Sequence, residues 1–186
     1  AIDRRYINSG GTLTSGIELD SSLRGELAGG SWQLAFNGSY IDTFQTKGIA
    51  TLPWSDNLVG DYVRYYNLPI KWKHTLGLTW SRGDWAHTLT QVYRHSYKDE
   101  EPISVANGTY VPSAWNPEVD SYTVYNYSVS WTGIEDLKVT AGVRNLLDTD
   151  PPFTAHQNDY AAGAAWETRI ADPRGRSWLL ALQYDF

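Results

Sequence analysis

The sequence predicts an all-β chain, an antiparallel segment of about seven strands from a transmembrane β-barrel. Three features of the sequence carry that prediction. The last nine residues alternate strictly two by two. Several stretches approach the ten or so residues that a tilted membrane strand needs. Tight turns and long loops follow one another in regular exchange. In the terminal stretch Trp178, Leu180, Leu182, Tyr184 and Phe186 share one face, and Leu179, Ala181, Gln183 and Asp185 share the other. Lipid covers a face of the first kind in a barrel, and an aqueous lumen meets one of the second kind.

The other stretches repeat this pattern. Between Leu13 and Leu27, Leu13, Ile17, Leu19, Leu23 and Leu27 oppose Thr12, Thr14, Glu18, Asp20, Arg24 and Glu26. After a turn at Gly29-Gly30, Trp32, Leu34, Phe36, Tyr40 and Phe44 oppose Gln33, Asn37, Ser39 and Thr43, with Asp42 interrupting the apolar face. Trp72, Leu76, Leu78 and Trp80 form the apolar side of a third stretch. A turn at Arg82-Gly83-Asp84 leads into a fourth, Trp85 to Lys98, whose odd face mixes Trp85, Leu89, Tyr93 and Tyr97 with Gln91 and two histidines. Tyr125, Tyr127, Val129 and Trp131 define a fifth; after a turn at Gly133 to Asp136, Leu137, Val139, Ala141 and Val143 define a sixth.

Three long connections separate the hairpins: Gly48 to Ile70, Asp99 to Asp120, and Leu147 to Ser177. They hold all the prolines and many aromatics. Loops of this length are rare in compact domains, whereas short periplasmic turns opposite long outer loops are normal in an outer-membrane barrel. On that reading the terminal strand runs down to the periplasmic rim, and residues 1–11 begin inside an outer loop. An odd strand count then implies the trailing part of a larger barrel, since single-chain bacterial barrels have even numbers.

Composition excludes other classes. Net charge is −6 with both signs interspersed, which argues against a nucleic-acid partner. There is no cysteine, and nine Trp and thirteen Tyr stand against four Phe; such amphipathic rings suit membrane interfaces or sugar-binding surfaces. No stretch approaches the roughly 18 apolar residues of a membrane helix. No phosphate loop, nucleophile elbow or His-Glu-x-x-His pattern occurs, so neither an enzymatic activity nor a cofactor is expected. His95 with Asp99, Glu100 and Glu101 imitates a metal site, but a charged barrel rim produces such clusters without a metal. No metal ligands are assigned.

Two further segments have local readings. In Val143-Arg144-Asn145-Leu146-Leu147-Asp148-Thr149-Asp150-Pro151-Pro152-Phe153, the prolines end strand pairing. Asp172-Pro173-Arg174-Gly175, before Arg176, is patterned as a turn. Together, and in this order before an aromatic terminal strand, they resemble the closing motifs of TonB-dependent outer-membrane receptors. The resemblance rests on Asn145, Leu146, Asp148, Pro151, Asp172, Pro173, Arg174, Gly175 and Arg176. It implies the last seven strands of a plugged, 22-stranded barrel in the outer membrane of a Gram-negative bacterium. The implied work is import of a scarce ligand (a siderophore or other iron chelate, cobalamin or an oligosaccharide) with energy from TonB. It also implies partners: the lipid bilayer and lipopolysaccharide, the rest of the barrel and a plug absent from these residues, the TonB complex acting through that plug, and the barrel-assembly machinery. Trp178, Leu180, Leu182, Tyr184 and above all Phe186 would be the assembly signal.

Trp54, Tyr62, Arg64, Tyr65 and Tyr66 in one outer loop, with Tyr110 and Trp115 in the next, are the candidate ligand contacts, because flat rings beside an arginine stack sugars or aromatic chelates. Loop packing and interfacial anchoring compete with that reading. Lys71, Lys73, Arg94, Lys138 and Arg144 are expected to line the lumen. The alternatives are a secreted carbohydrate-binding β-sandwich, and a complete eight-stranded barrel using residues 1–11 as an extra strand.

Overall fold

The computed structural model describes residues 9–63, 68–111, 116–156 and 165–185. Its elements are β1 (Ser9–Leu27), β2 (Gly30–Ile49), β3 (Trp72–Arg82), β4 (Trp85–Arg94), β5 (Tyr97–Lys98), a single helical turn α1 (Ile103–Ala106), β6 (Glu118–Val119), β7 (Tyr122–Ile134), β8 (Leu137–Arg144) and β9 (Ser177–Tyr184). Seven of the strands form one antiparallel meander in the order β1-β2-β3-β4-β7-β8-β9, and β5 and β6 form a small sheet of their own. No second sheet packs face to face on the meander among the described residues, which removes the sandwich. The sheet is not closed on itself: β1 and β9 are both edges.

Each short turn is a two-residue hairpin at the same end of the sheet. Leu27 pairs with Gly30, Arg82 with Trp85 and Ile134 with Leu137. The first turn is Ala28-Gly29, both with positive φ (54° and 72°), as a primed hairpin turn demands. It lies one residue before the expected Gly29-Gly30, and Gly30 joins the strand.

Three other expectations need correction, and one facing left open in the sequence is fixed by the register. β1 starts at Ser9, and Ser9 and Gly11 pair with Ile49 and Lys47, so this stretch is strand rather than loop. Such upper rungs rise above the lipid and need no apolar face. The fourth stretch does not run to Lys98: β3 begins at Trp72, so β4 loses its partner beyond Arg94, and Tyr97–Lys98 pairs with Glu118–Val119 instead. Phe44 does not share a face with Tyr40. The ladder shifts between Ser15 and Gly16, where Ser15 pairs with Thr43 but Gly16 with Ile41, leaving Asp42 as a bulge. The extra residue inverts the alternation above it, and this is why Asp42 interrupted the pattern. Finally, the odd residues of β4, ambiguous in sequence, lie on the lipid side: Leu89 pairs with Leu78 and with Tyr127.

With register fixed, one largely apolar face runs across all seven strands, interrupted by His74, His87 and Gln91. Leu23, Leu34, Leu78, Leu89, Tyr127, Val143 and Trp178 are successive cross-strand partners on it. Many of its side chains are exposed, Ile17 by 67% and Leu180 by 70%, although Val143 is buried, and this is more apolar surface than a soluble protein leaves uncovered. Rings frame the face at two heights. Trp32 pairs with Trp80 near the turns, and Tyr40 pairs with Trp72 at the far end. The eight residue-to-residue steps from Trp72 to Trp80 are about 26 Å along the strand, or about 20 Å across a bilayer at the usual tilt, comparable with the ~25 Å apolar band of such barrels. Gly38 lies under the upper group: a Cβ there would sit 2.8 Å from the rings of Phe36 and Trp72. The opposite face is polar, for example at the Asp20–Asn37 and Thr79–Thr88 hydrogen bonds, and carries Lys73 beside Arg94.

Candidate functional site

Beyond the upper rungs the three long loops come together. Residues 55–58 fold back on the free upper edge of β2, where Ser55 N donates to Thr46 O and Leu58 N to Phe44 O, both at 2.8 Å. The next residues join the small sheet: Tyr62 N donates to Lys98 O, and Lys98 N to Gly60 O, at 2.7 Å each. Leu68, Ile70, Tyr97 and Val119 close over one another as a buried cluster, with Tyr62 and Ile170 packed against it. This is a second core, separate from the lipid-facing sheet and built from the small β5–β6 sheet and the loops around it.

Beside it lies a row of alternating charges. His156 is held between two carboxylates, with Nδ1 2.5 Å from Asp99 Oδ1 and Nε2 3.2 Å from Glu167 Oε2. Glu167, 1% exposed, also accepts from Arg169 Nε at 2.9 Å and Nη2 at 2.8 Å. Asp99 further accepts from the Ala155 amide at 2.6 Å and the Glu100 amide at 3.0 Å. Tyr62 stacks on the His156 ring with centroids 3.8 Å apart, and the Arg169 guanidinium lies 5.3 Å above Tyr62. Burial opposes charge on His156, but the hydrogen bond to Asp99 and the close Glu167 carboxylate outweigh it and hold the imidazole up at about 9. Burial likewise opposes charge on Glu167, yet the close His156 imidazole and the bonds from Arg169 hold its carboxyl down at about 2. Burial, then the Asp99 charge, push the Tyr97 phenol far above its ordinary value.

This row is a latch between loops. Both imidazole nitrogens face carboxylates, so the ring has neither a nucleophile to activate nor a lone pair to offer a metal. No group of three or more His, Cys, Asp or Glu among the described residues is disposed to hold a metal ion. The imitation of a metal site around His95 dissolves as well: Asp99 turns to His156, and His95 Nδ1 turns to Ser96 O at 2.9 Å.

The aromatic contacts expected from sequence keep different company. Tyr62 is committed to the latch. Trp54 stands at the rim with Lys47 Nζ 4.7 Å above its ring, and Tyr110 is 60% exposed beyond α1. Arg64, Tyr65, Tyr66 and Trp115, like Phe186, lie outside the described residues. A 360 Å³ hollow, lined by Glu100, Glu101, Pro102, Ile103, Ser104, Ala155 and His156, opens beside the latch. Sequence reasoning missed the latch itself, because Asp99 and His156 are separated by 57 residues and no local pattern links them.

The two closing motifs do meet. Asn145 (φ 50°) brackets its own turn, donating from Nδ2 to Thr149 O and accepting from Thr149 N, both at 2.9 Å. Asp148 Oδ1 accepts from Arg176 N at 2.7 Å, tying the end of β8 to the start of β9. Gly175 (φ +65°) passes close enough that a Cβ would lie 3.1 Å from Asp148 Oδ1. Arg174 clamps Asp172 through Nε at 2.9 Å, and that bond holds the Asp172 carboxyl down at about 2. Leu146 and Pro151 flank the same stub. These residues are structural.

A meander with one lipid-ready face, short turns below and laced loops above is the wall of a membrane-spanning β-barrel. The family described as TonB dependent receptor-like, beta-barrel matches residues 2–146, and the chain belongs to it. That family comprises outer-membrane receptors for TonB-dependent transport. The match ends inside the first closing motif, so the family evidence from residues 2–146 and the motif resemblance in the last third cover complementary parts. No curated protein and no solved structure matches the chain.

Proposed function

We propose that residues 1–186 are the C-terminal portion of a TonB-dependent receptor barrel that imports a scarce ligand (an iron chelate, cobalamin or an oligosaccharide) and that the plug domain lies outside them. The single observation that carries this reading is the largely apolar face that crosses a sheet with two open edges. Both edges need further strands before the backbone is satisfied in lipid. The protein does no chemistry on its cargo in this reading. The exposed rings of Trp54 and Tyr110 are ligand contacts at the mouth, joined by Arg64, Tyr65, Tyr66 and Trp115. Tyr62 supports them from below rather than touching ligand. Phe186 and the apolar face of β9 serve as the assembly signal.

The test is uptake by cells whose receptor carries this chain. Deleting the receptor and deleting TonB should each abolish accumulation of the same labelled ligand, drawn from iron chelates, cobalamin and oligosaccharides. Uptake of all three classes that is unchanged by both deletions contradicts the proposal.

A further inference from the structure

The lipid-facing side gathers polar side chains on β3, β4 and β7. Trp72 Nε1 donates to His74 Nδ1 at 2.8 Å. An indole only donates, so the imidazole proton sits on Nε2, which donates to Gln91 Oε1 at 3.1 Å. Gln91 Nε2 donates in turn to the Tyr125 hydroxyl oxygen at 2.8 Å. The row ends there, on a Tyr125 O–H that has no acceptor among the described residues. Nearer the short turns, His87 Nδ1 and the Tyr127 hydroxyl lie 2.7 Å apart. Whichever of the two supplies that proton, one donor stays unmet, the imidazole Nε2–H or the Tyr127 O–H. The same face of β8 carries only Leu137, Val139, Ala141 and Val143.

Hydrocarbon offers these groups no partner, so covering them with lipid alone is expensive. Their depth removes the lipid's polar end as a remedy. Gln91 is the cross-strand partner of both Leu76 and Tyr125, and Leu76 lies midway between Trp72 and Trp80. Headgroups and ester carbonyls of either leaflet stay outside that level, so the missing acceptor has to come from protein.

We propose that this face binds a second copy of the receptor, with Gln91 and Tyr125 at the centre of the contact. The proposal rests on the reading that the face lies in the membrane. The occupant is a copy because the groups left over are reciprocal. Gln91 Oε1, having accepted from His74, keeps one lone pair, and Tyr125 keeps one O–H. A two-fold axis along the membrane normal sets the same two groups opposite each other at the same depth. Each Tyr125 O–H then donates to Gln91 Oε1 of the other copy, which is the reciprocal pairing of an isologous interface. Beside them a 220 Å³ hollow, walled otherwise by Leu34, Leu76, Leu78 and Leu89, extends from mid-band toward the short turns. It is smaller than the roughly 300–1,000 Å³ of small-molecule sites, and apolar side chains of the facing copy fill it.

Self-association of the intact receptor is measured in lipid vesicles, by energy transfer between separately labelled copies as the protein-to-lipid ratio falls. The native receptor should give saturable transfer. Tyr125→Phe removes both reciprocal bonds and should weaken the dimer roughly 10- to 100-fold, and Gln91→Leu should do the same. Cross-linking in native membranes locates the contact without either variant. Leu89→Cys, beside the axis, should join copy to copy under a mild oxidant, and Leu180→Cys, on the same face three strands away, should not. Monomers at every ratio, a dimer unchanged by both substitutions, equal cross-linking at the two cysteines, or a cross-link to a different polypeptide overturns the proposal. A receptor that stays folded without detergent would instead overturn the membrane reading beneath it, so the two failures are distinguishable.

Discussion

Arginine placed on β3 separates the two faces of the sheet. Leu76 lies four residues from Trp72 and four from Trp80, about 13 Å along the strand from each. It therefore sits near the middle of the apolar band, on the same face as its partner Phe36. Leu76→Arg should cost roughly 2–4 kcal/mol, the depth-dependent penalty for a cation at the midplane of a barrel's lipid face. Thr75 is one residue away, pairs with Asn37 and Val92 and points to the lumen. Thr75→Arg should stay within about 0.5 kcal/mol, as at an ordinary wet surface. The assay is equilibrium unfolding by urea of the intact receptor refolded in lipid, followed by heat-shifted migration on gels. Equal penalties, or a larger one at Thr75, would mean that the assigned faces are wrong.

The outer loops and closing motifs yield three more predictions. Glu167→Gln leaves His156 and Arg169 without their shared buried carboxylate; it should cost about 3 kcal/mol of loop stability and speed exchange of the Thr154 and Ala155 amides roughly 100-fold, and unchanged exchange would contradict the latch. The same exchange should follow pH: the His156 contribution is complete below its ordinary value near 6.5 and lost as pH rises through about 9, while that of Glu167 is complete above about 4.5 and lost as pH falls through about 2. Protection should therefore be greatest between those limits, and a continued rise above pH 9 would oppose it. Asp148→Ala removes the acceptor for Arg176 N and should cost about 1 kcal/mol in the urea assay, whereas no change would detach the two closing motifs from each other.

The sheet was legible because a strand's period is fixed and each face has one solvent. Every long strand announced itself, down to Asp42, whose intrusion was the trace of a bulge. The hairpin at Ala28-Gly29 slipped by one residue because three successive small residues, Ala28, Gly29 and Gly30, all tolerate the turn. The fourth stretch ran too far in prediction because alternation continues past Arg94 in sequence while the partner strand ends in space. The loop latch was illegible for a different reason. Asp99, His156 and Glu167 meet only through the path of two long loops, and charged residues at a rim are expected anyway. The aromatic candidates were chosen by residue type, which does not distinguish Tyr62, spent on packing, from the exposed Tyr110.

The chain has no cysteine, so single cysteines can be introduced along β3 at each position from Lys73 to Ser81 in the membrane-embedded receptor. A charged, water-soluble thiol reagent should label Lys73, Thr75, Gly77, Thr79 and Ser81 positions from the lumen and leave those of His74, Leu76, Leu78 and Trp80 protected by lipid. Labelling with no two-residue period, or with the opposite phase, would contradict a sheet that spans the membrane with this face toward lipid.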